Sequence, residues 1–301
     1  MWFWLSIAAL LCWSGSDLFS KLGCSDENDK TSHLKMVTAV GIVMGLHCAY
    51  EVFICHVQLT PAIILGYLPV SACYILSMAI GYLGLRYIEL SISSPICNSS
   101  GALVALMTLL ISGIGAVNVW QLLALLLVSI GVIAIGIIDV NEDDELRLAR
   151  QKEGNRIYTK SLIAILIPII YCIVDALGTY ADSIILQNLE EESANAAYEL
   201  TFFAVGVLCF IYVKFIKKSK FLPKKEAPKY IGACFETLGQ FAYVFAIADT
   251  EHVIATAPIV SAYCAVSVLW GRLFLKEKLS KKHYLAISLV IIGIIIIGIF
   301  D

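Results

Sequence analysis

Six carboxylates stand inside stretches of this chain that are otherwise apolar: Asp17, Glu51, Asp175, Asp182, Glu199 and Glu236. An ionisable side chain near the centre of a bilayer costs about 2.5 to 3.5 kcal/mol on insertion scales, so each needs a reason to be there. No Lys or Arg lies deep in any of those stretches, and only His47 and His56 add a titratable cation. Carboxylates without basic partners attract cations or hold protons, and they repel anions. The pattern points to a site for a cation, a zwitterion or a coupling proton, and away from phosphorylated or purely carboxylate ligands.

Asp175 is the strongest candidate, because it sits mid-stretch with Tyr171 one turn before it and Tyr180 just after. Trp13 precedes Asp17 by four, as Tyr171 precedes Asp175, which makes Asp17 a symmetric counterpart. Asp17 also precedes Lys21 by four, the spacing of a helical ion pair, and both readings stand. Glu51 and Glu199 each follow a tyrosine near the outer end of their stretch, as an outer vestibule or as solvated interfacial groups. Glu236 has no acidic counterpart 163 positions earlier, where Cys73 stands, so its role is expected to be asymmetric. Asp182 completes the set of substrate- or proton-binding candidates.

Ring faces attract an organic cation by about 0.5 to 2 kcal/mol each, and Trp13, Tyr74, Tyr171, Tyr243, Tyr263 and Trp270 form the pool for such a cage. Pro95 and Pro258 read either as first-turn prolines or as hinges whose freed carbonyls line a cavity. The ten cysteines lie mostly in apolar runs without CxxC spacing, and no His-and-carboxylate metal spacing is read, so no metal or cofactor is expected. Nucleophile elbows and extended catalytic loops are missing too, and an enzyme is not expected.

The elements that position these residues follow from composition. With 59% apolar residues, 15% charged residues and a mean hydropathy of +0.85, the chain lies outside the usual range of soluble domains. It reads as an all-α polytopic membrane protein. About 20 apolar residues cross about 30 Å of hydrocarbon. Ten segments qualify: approximately 2–22, 34–56, 62–84, 91–112, 119–139, 161–186, 194–216, 229–249, 252–275 and 283–300. All 21 Lys and Arg fall in or beside the odd-numbered connections. By the positive-inside rule those connections face the cytoplasm and both termini lie outside, in a multi-pass cell-membrane protein. The first run has no basic leader and no small-residue cleavage site, so it reads as a retained helix.

The chain also repeats itself. From Pro95 and from Pro258 two similar strings run to IGIID and IGIFD, with Gly131, Gly136 and Asp139 lying 162 positions before Gly293, Gly298 and Asp301. Residues 1–139 and 161–301 are then two repeats joined by a charged linker, 140–160. Each holds five helices, an odd number, so the repeats are inverted in the membrane, the architecture of alternating-access carriers. The five-residue glycine spacing differs from GxxxG, and the chain is expected as a monomer or homodimer.

These residues resemble the EamA-domain family of the drug/metabolite transporter (DMT) superfamily over essentially the whole chain. In the second repeat Pro258, the LFLKE string with Glu277, and Gly293 and Gly298 are similar to the family's signature; Trp13-Ser14-Gly15 is similar to its aromatic-Gly element. The first repeat reads Ser112-Gly113-Ile114-Gly115 where the family has its loop Glu. The resemblance implies a ten-helix carrier of a small metabolite. With the acids, it gives a secondary transporter of an amine or amino acid, cationic or zwitterionic, working by alternating access. The alternative is a proton-coupled exporter of neutral amino acids or drugs, followed by a divalent-cation transporter or a non-transport membrane accessory protein. The expected partners are a small-molecule substrate, the lipid bilayer and a coupling proton or other ion, with no nucleic acid. No nucleotide-binding motif appears, so energy comes from a gradient or exchange.

Overall fold

The computed structural model describes the chain except residues 27–28, 88–89, 113–117, 142–161, 250, 277–278 and 301. Glu277 and the linker's charged residues therefore lie outside the described residues. The described residues form helices in the order α1 Trp2–Cys24, α2 Ser32–Phe53, α3 Pro61–Tyr87, α4 Leu90–Asn98, α5 Ser100–Ser112, α6 Val119–Val140, α7 Leu162–Ile185, α8 Glu191–Ile211, α9 Pro223–Ile247, α10 Val253–Ser261, α11 Tyr263–Phe274 and α12 Lys281–Phe300. A π turn, Tyr212–Ile216, continues α8. Eight described stretches are long and apolar enough to cross a bilayer, two of them running over the α4/α5 and α10/α11 pairs. The apolar helix α6 and the 20-residue α12 complete ten passes of an all-α polytopic membrane protein.

Two expectations need correction. The eighth pass begins at Pro223, not near 229, because Pro223 supplies a preset first turn and Glu226 faces the helix N-terminus. A hydropathy window misses such a polar first turn. Passes four and nine, expected as continuous, are each broken in two, and the breaks fall in one register: Leu90, Pro95 and Asn98 of α4 lie 163 positions before Val253, Pro258 and Ser261 of α10. Each proline is the sixth residue of its half-helix, so neither is a first-turn proline. Pro95 has no N–H for the carbonyl four residues back, and neither has Pro258. The chain restarts one turn later, where Ser99 and Ala262 close onto Pro95 and Pro258 carbonyls at 3.1 and 3.0 Å.

Packing is preserved when the halves are exchanged. α1 packs on α9 as α7 packs on α3, α2 on α9 as α8 on α3, and α5 on α10 as α11 on α4. The last helices of the halves, α6 and α12, pack on each other through matched glycines. A Cβ on Gly131 would come within 2.6 Å of Val290 and 3.0 Å of the Ala286 carbonyl; one on Gly293 would come within 2.7 Å of Val128 and 2.9 Å of the Ala124 carbonyl. Later residues of one helix meet earlier residues of the other, so the pair is antiparallel, as inversion requires. α2 and α8 cross the same way, with Gly41 against Gly206 and Cys48 against Ala196.

The basic residues of three connections gather at one end. Lys35 Nζ lies 2.6 Å from Asp29, 2.7 Å from the Lys220 carbonyl and 3.3 Å from Glu226, and Glu226 also pairs with Lys229 at 2.8 Å. Arg86 donates to the Asp29 carbonyl, and Lys21 donates to that of Leu85 at 2.6 Å, tying α1 to α3. Partial burial would raise the Asp29 carboxyl, but hydrogen bonds from Lys35 and Thr31 hold it below its ordinary value.

Candidate functional site

Helical spacing turns separate sequence features into one surface. On α7, Tyr171, Asp175, Thr179 and Asp182 recur every three or four residues and so share a face; Trp13, Asp17 and Ser20 do so on α1, and Glu236, Gln240 and Tyr243 on α9. Except for Asp182, these residues line a cavity with about 900 Å³ of empty space, its mouth included. Among the described residues that line it, none is basic.

The two breaks supply adjoining walls. Ser94, Cys97, Asn98 and Ser100 line the cavity from the first, and their counterparts 163 positions later, Ala257, Val260, Ser261 and Tyr263, line it from the second. The close fit between these walls is set by Gly101, whose missing Cβ would collide with Ser261.

Three carboxylates face this space, each met by hydroxyls. Asp17 accepts from Ser94 at 2.5 Å and Ser267 at 2.8 Å; Asp175 accepts from Ser100 at 2.8 Å and Ser77 at 3.5 Å; Glu236 accepts from Ser16 at 2.7 Å. None of the three forms an ion pair with a described residue. The sequence left open a pair between Asp17 and Lys21; in the structure Asp17, like Asp175, is held instead by a serine of the first broken helix. Nearby, Tyr82 Oη, Gln240 Nε2 and Ser20 Oγ are buried without a hydrogen-bond partner, and all three residues line the cavity. Polar atoms in that state are available to a ligand.

Of the six aromatic candidates, Trp13, Tyr74, Tyr171, Tyr243 and Tyr263 line the cavity. Trp13 packs 5.0 Å from Tyr243 and 5.9 Å from Tyr263, centroid to centroid. Trp270 does not line it: its indole N–H donates to Ser14 of α1 at 3.2 Å. Tyr82 and Tyr198 line it and escaped the sequence reading, although Tyr82 lies two turns from Tyr74 on one face of α3.

Asp182 sits behind the cavity, fully buried, accepting from Tyr67 at 2.6 Å and Tyr74 at 3.1 Å. Tyr74 is in turn 3.0 Å from the Tyr243 hydroxyl, and both approach Thr179. A chain of hydroxyls therefore joins Asp182 to the cavity wall.

Glu51 and Glu199 are not cavity residues. They meet between α2 and α8 around His47, whose Nδ1 is 2.9 Å from both Glu199 oxygens and 3.8 Å from Glu51. No metal spacing was read in the sequence, yet His47 and Glu51 stand at i and i+4 on α2, and the fold adds Glu199. The i,i+4 signal was legible; its third member was not.

Residues 162–299 match the model of the EamA-like transporter family. The second half of the chain belongs to that family. This EamA-like half contains Asp175, Asp182, Glu199, Glu236 and the second broken helix, and the family it matches implies a membrane transporter of the drug/metabolite type. No curated protein sequence matches the chain. A solved structure described as "Crystal structure of protein" shares this chain's fold, with a TM-score of 0.57 at 14% identity over 98% of this chain and 95% of that one.

Proposed function

We propose that the protein is a secondary active transporter of a small cationic or zwitterionic metabolite, of the amine or amino-acid class, working by alternating access. The repeats 1–139 and 161–301, joined by the linker 140–160, rock about the cavity, in a cell membrane with both termini outside. One observation carries this reading: a single cavity holds Asp17, Asp175 and Glu236, ringed by aromatic faces, with no basic residue among the described lining. In a low-dielectric space those carboxylates favour an ammonium group, and the rings add cation–π attraction. Ser94 and Ser100 orient the acids from the break in pass four, and the broken helices supply the joints about which the walls can move.

The hydroxyl chain from Asp182 through Tyr74 to Tyr243 favours a second reading, proton coupling, in which the acids carry the driving ion and the cargo is a neutral amino acid or drug. Counterflow in liposomes tests both. Trans-stimulated exchange of a labelled amine or amino acid without a pH gradient supports the first; uptake of a neutral solute only with a pH gradient supports the second. Exchange of anions alone contradicts both.

A further inference from the structure

The crossing of α2 and α8 holds a cluster that the cavity does not use. It lies close to the end of α2 at Phe53 and the start of α8 at Glu191, and its members come from opposite halves of the chain. One donor atom from each of His47, Glu51 and Glu199 lies within 4.8 Å of the other two. Two ligands on one tetrahedral ion, each about 2.0 to 2.2 Å from it, stand about 3.3 to 3.6 Å apart. The observed separations of 2.9 and 3.8 Å bracket that value.

A second observation points to a ligand. Asn195 is fully buried, and its amide nitrogen donates to both Glu51 oxygens at 3.1 and 3.2 Å, yet its carbonyl Oδ1 has no hydrogen-bond partner. Buried carbonyl oxygens almost always have one, and a flip of the amide exchanges its two ends, bringing this oxygen to the cluster as a fourth donor in place of the nitrogen that now faces Glu51. Two carboxylates and a neutral imidazole carry the charge that balances a divalent ion. Glu190, Glu191 and Glu192, at the same end of α8, draw cations toward it.

We propose that His47 Nδ1, Glu51, Glu199 and Asn195 Oδ1 form a site for a divalent transition-metal ion of the zinc type, clipping α2 to α8. A nitrogen ligand selects such an ion over Mg²⁺ and Ca²⁺, which take oxygen ligands. Because the clip joins the two halves, occupancy restrains their relative motion and slows transport. The site shares no residue with the cavity, so this inference stands or falls apart from the proposed cargo.

The test uses the full-length protein in detergent, stripped with EDTA, loaded with ZnCl₂ and desalted. Metal content is read by mass spectrometry and stability by thermal unfolding. The wild type should retain about one zinc per chain and unfold at higher temperature with Zn²⁺ but not with Mg²⁺ or Ca²⁺. His47→Gln and Glu199→Gln should lose both effects, and Asp175→Asn in the cavity should keep both. Since His47→Gln also removes the contact to Glu199, Asn195→Ala provides an independent check: zinc affinity measured against a competing chelator should fall about 10- to 100-fold. Failure of the wild type to retain zinc, retention undiminished in His47→Gln, or loss of zinc in Asp175→Asn would overturn the proposal.

Discussion

The two broken helices share one register and differ in chemistry. In the first, Ser94, Asn98 and Ser100 turn polar groups into the cavity, and Ser94 donates to Asp17 and Ser100 to Asp175. In the second, the same register presents Ala257, Val260, Ser261 and Tyr263, and its contribution to an acid comes only later, from Ser267 on α11. The frame is matched between the halves while the side chains at the joints differ, one wall being polar and meeting the acids, the other more apolar.

The largest expected effect comes from the acids that the polar wall serves. Asp175→Asn should weaken substrate binding by about 1.5 to 3 kcal/mol, roughly 10- to 150-fold, the range for a hydrogen bond to a charged group. Asp17→Asn should match it if the two acids are counterparts; a large loss in one and none in the other would break the symmetry. Binding isotherms on purified protein, with unfolding curves as a control for folding, read this directly.

Next comes the frame itself. Gly131→Val and Gly293→Val should each destabilise the protein by about 1 to 3 kcal/mol through overpacking, and by similar amounts, because each glycine meets the valine and carbonyl equivalent to those of the other. Unequal shifts in chemical or thermal unfolding would show that the two ends of this contact are not equivalent.

A smaller effect separates the walls. Ser94→Ala and Ser100→Ala each remove one neutral hydroxyl donor, worth about 0.5 to 1.5 kcal/mol, or roughly 2- to 12-fold in transport. Ala257→Ser, at the position equivalent to Ser94, should leave uptake near wild type. If Ala257→Ser cost as much as Ser94→Ala, the walls would not differ in role.

The smallest effect lies outside the cavity, where an acid carries its own cation. Asp29→Asn removes the pair with Lys35, worth about 0.2 to 1 kcal/mol for a partly exposed site, without changing substrate affinity. Because the folded state holds the Asp29 carboxyl below its ordinary value, its contribution is present above pH about 3.9 and is lost as pH falls through the lowered value. The stability difference between wild type and Asp29→Asn should therefore be full at neutral pH and shrink in acid.

Much of this was legible in the sequence, for physical reasons. Apolar length gave the ten passes, and acids inside apolar stretches pointed to Asp175, Asp17 and Glu236, which line one cavity, because charge in hydrocarbon is tolerated only where a cavity or partner receives it. The breaks were not legible as breaks: Pro95 and Pro258 are visible, but whether a proline kinks or starts a helix depends on where the helix begins. Asp182 looked like Asp175 because its partners, Tyr67 and Tyr74, are more than a hundred residues away. Trp270 and Tyr82 were mis-sorted since ring orientation depends on packing and not on residue type. Glu51 and Glu199 were read as an outer vestibule or as solvated interfacial groups, since His47 and Glu51 are local neighbours but nothing in the order of residues announces that Glu199 joins them.

The central claim is that cavity carboxylates select a positively charged group. Thermal stabilisation of the purified wild type and of Asp175→Asn by matched sets of amines, amino acids and carboxylates tests it most directly. The account predicts that ligands bearing an ammonium group stabilise the wild type, that the effect is lost in Asp175→Asn, and that carboxylate-only ligands do nothing. Stabilisation by carboxylates alone, or by amines equally in Asp175→Asn, would contradict it.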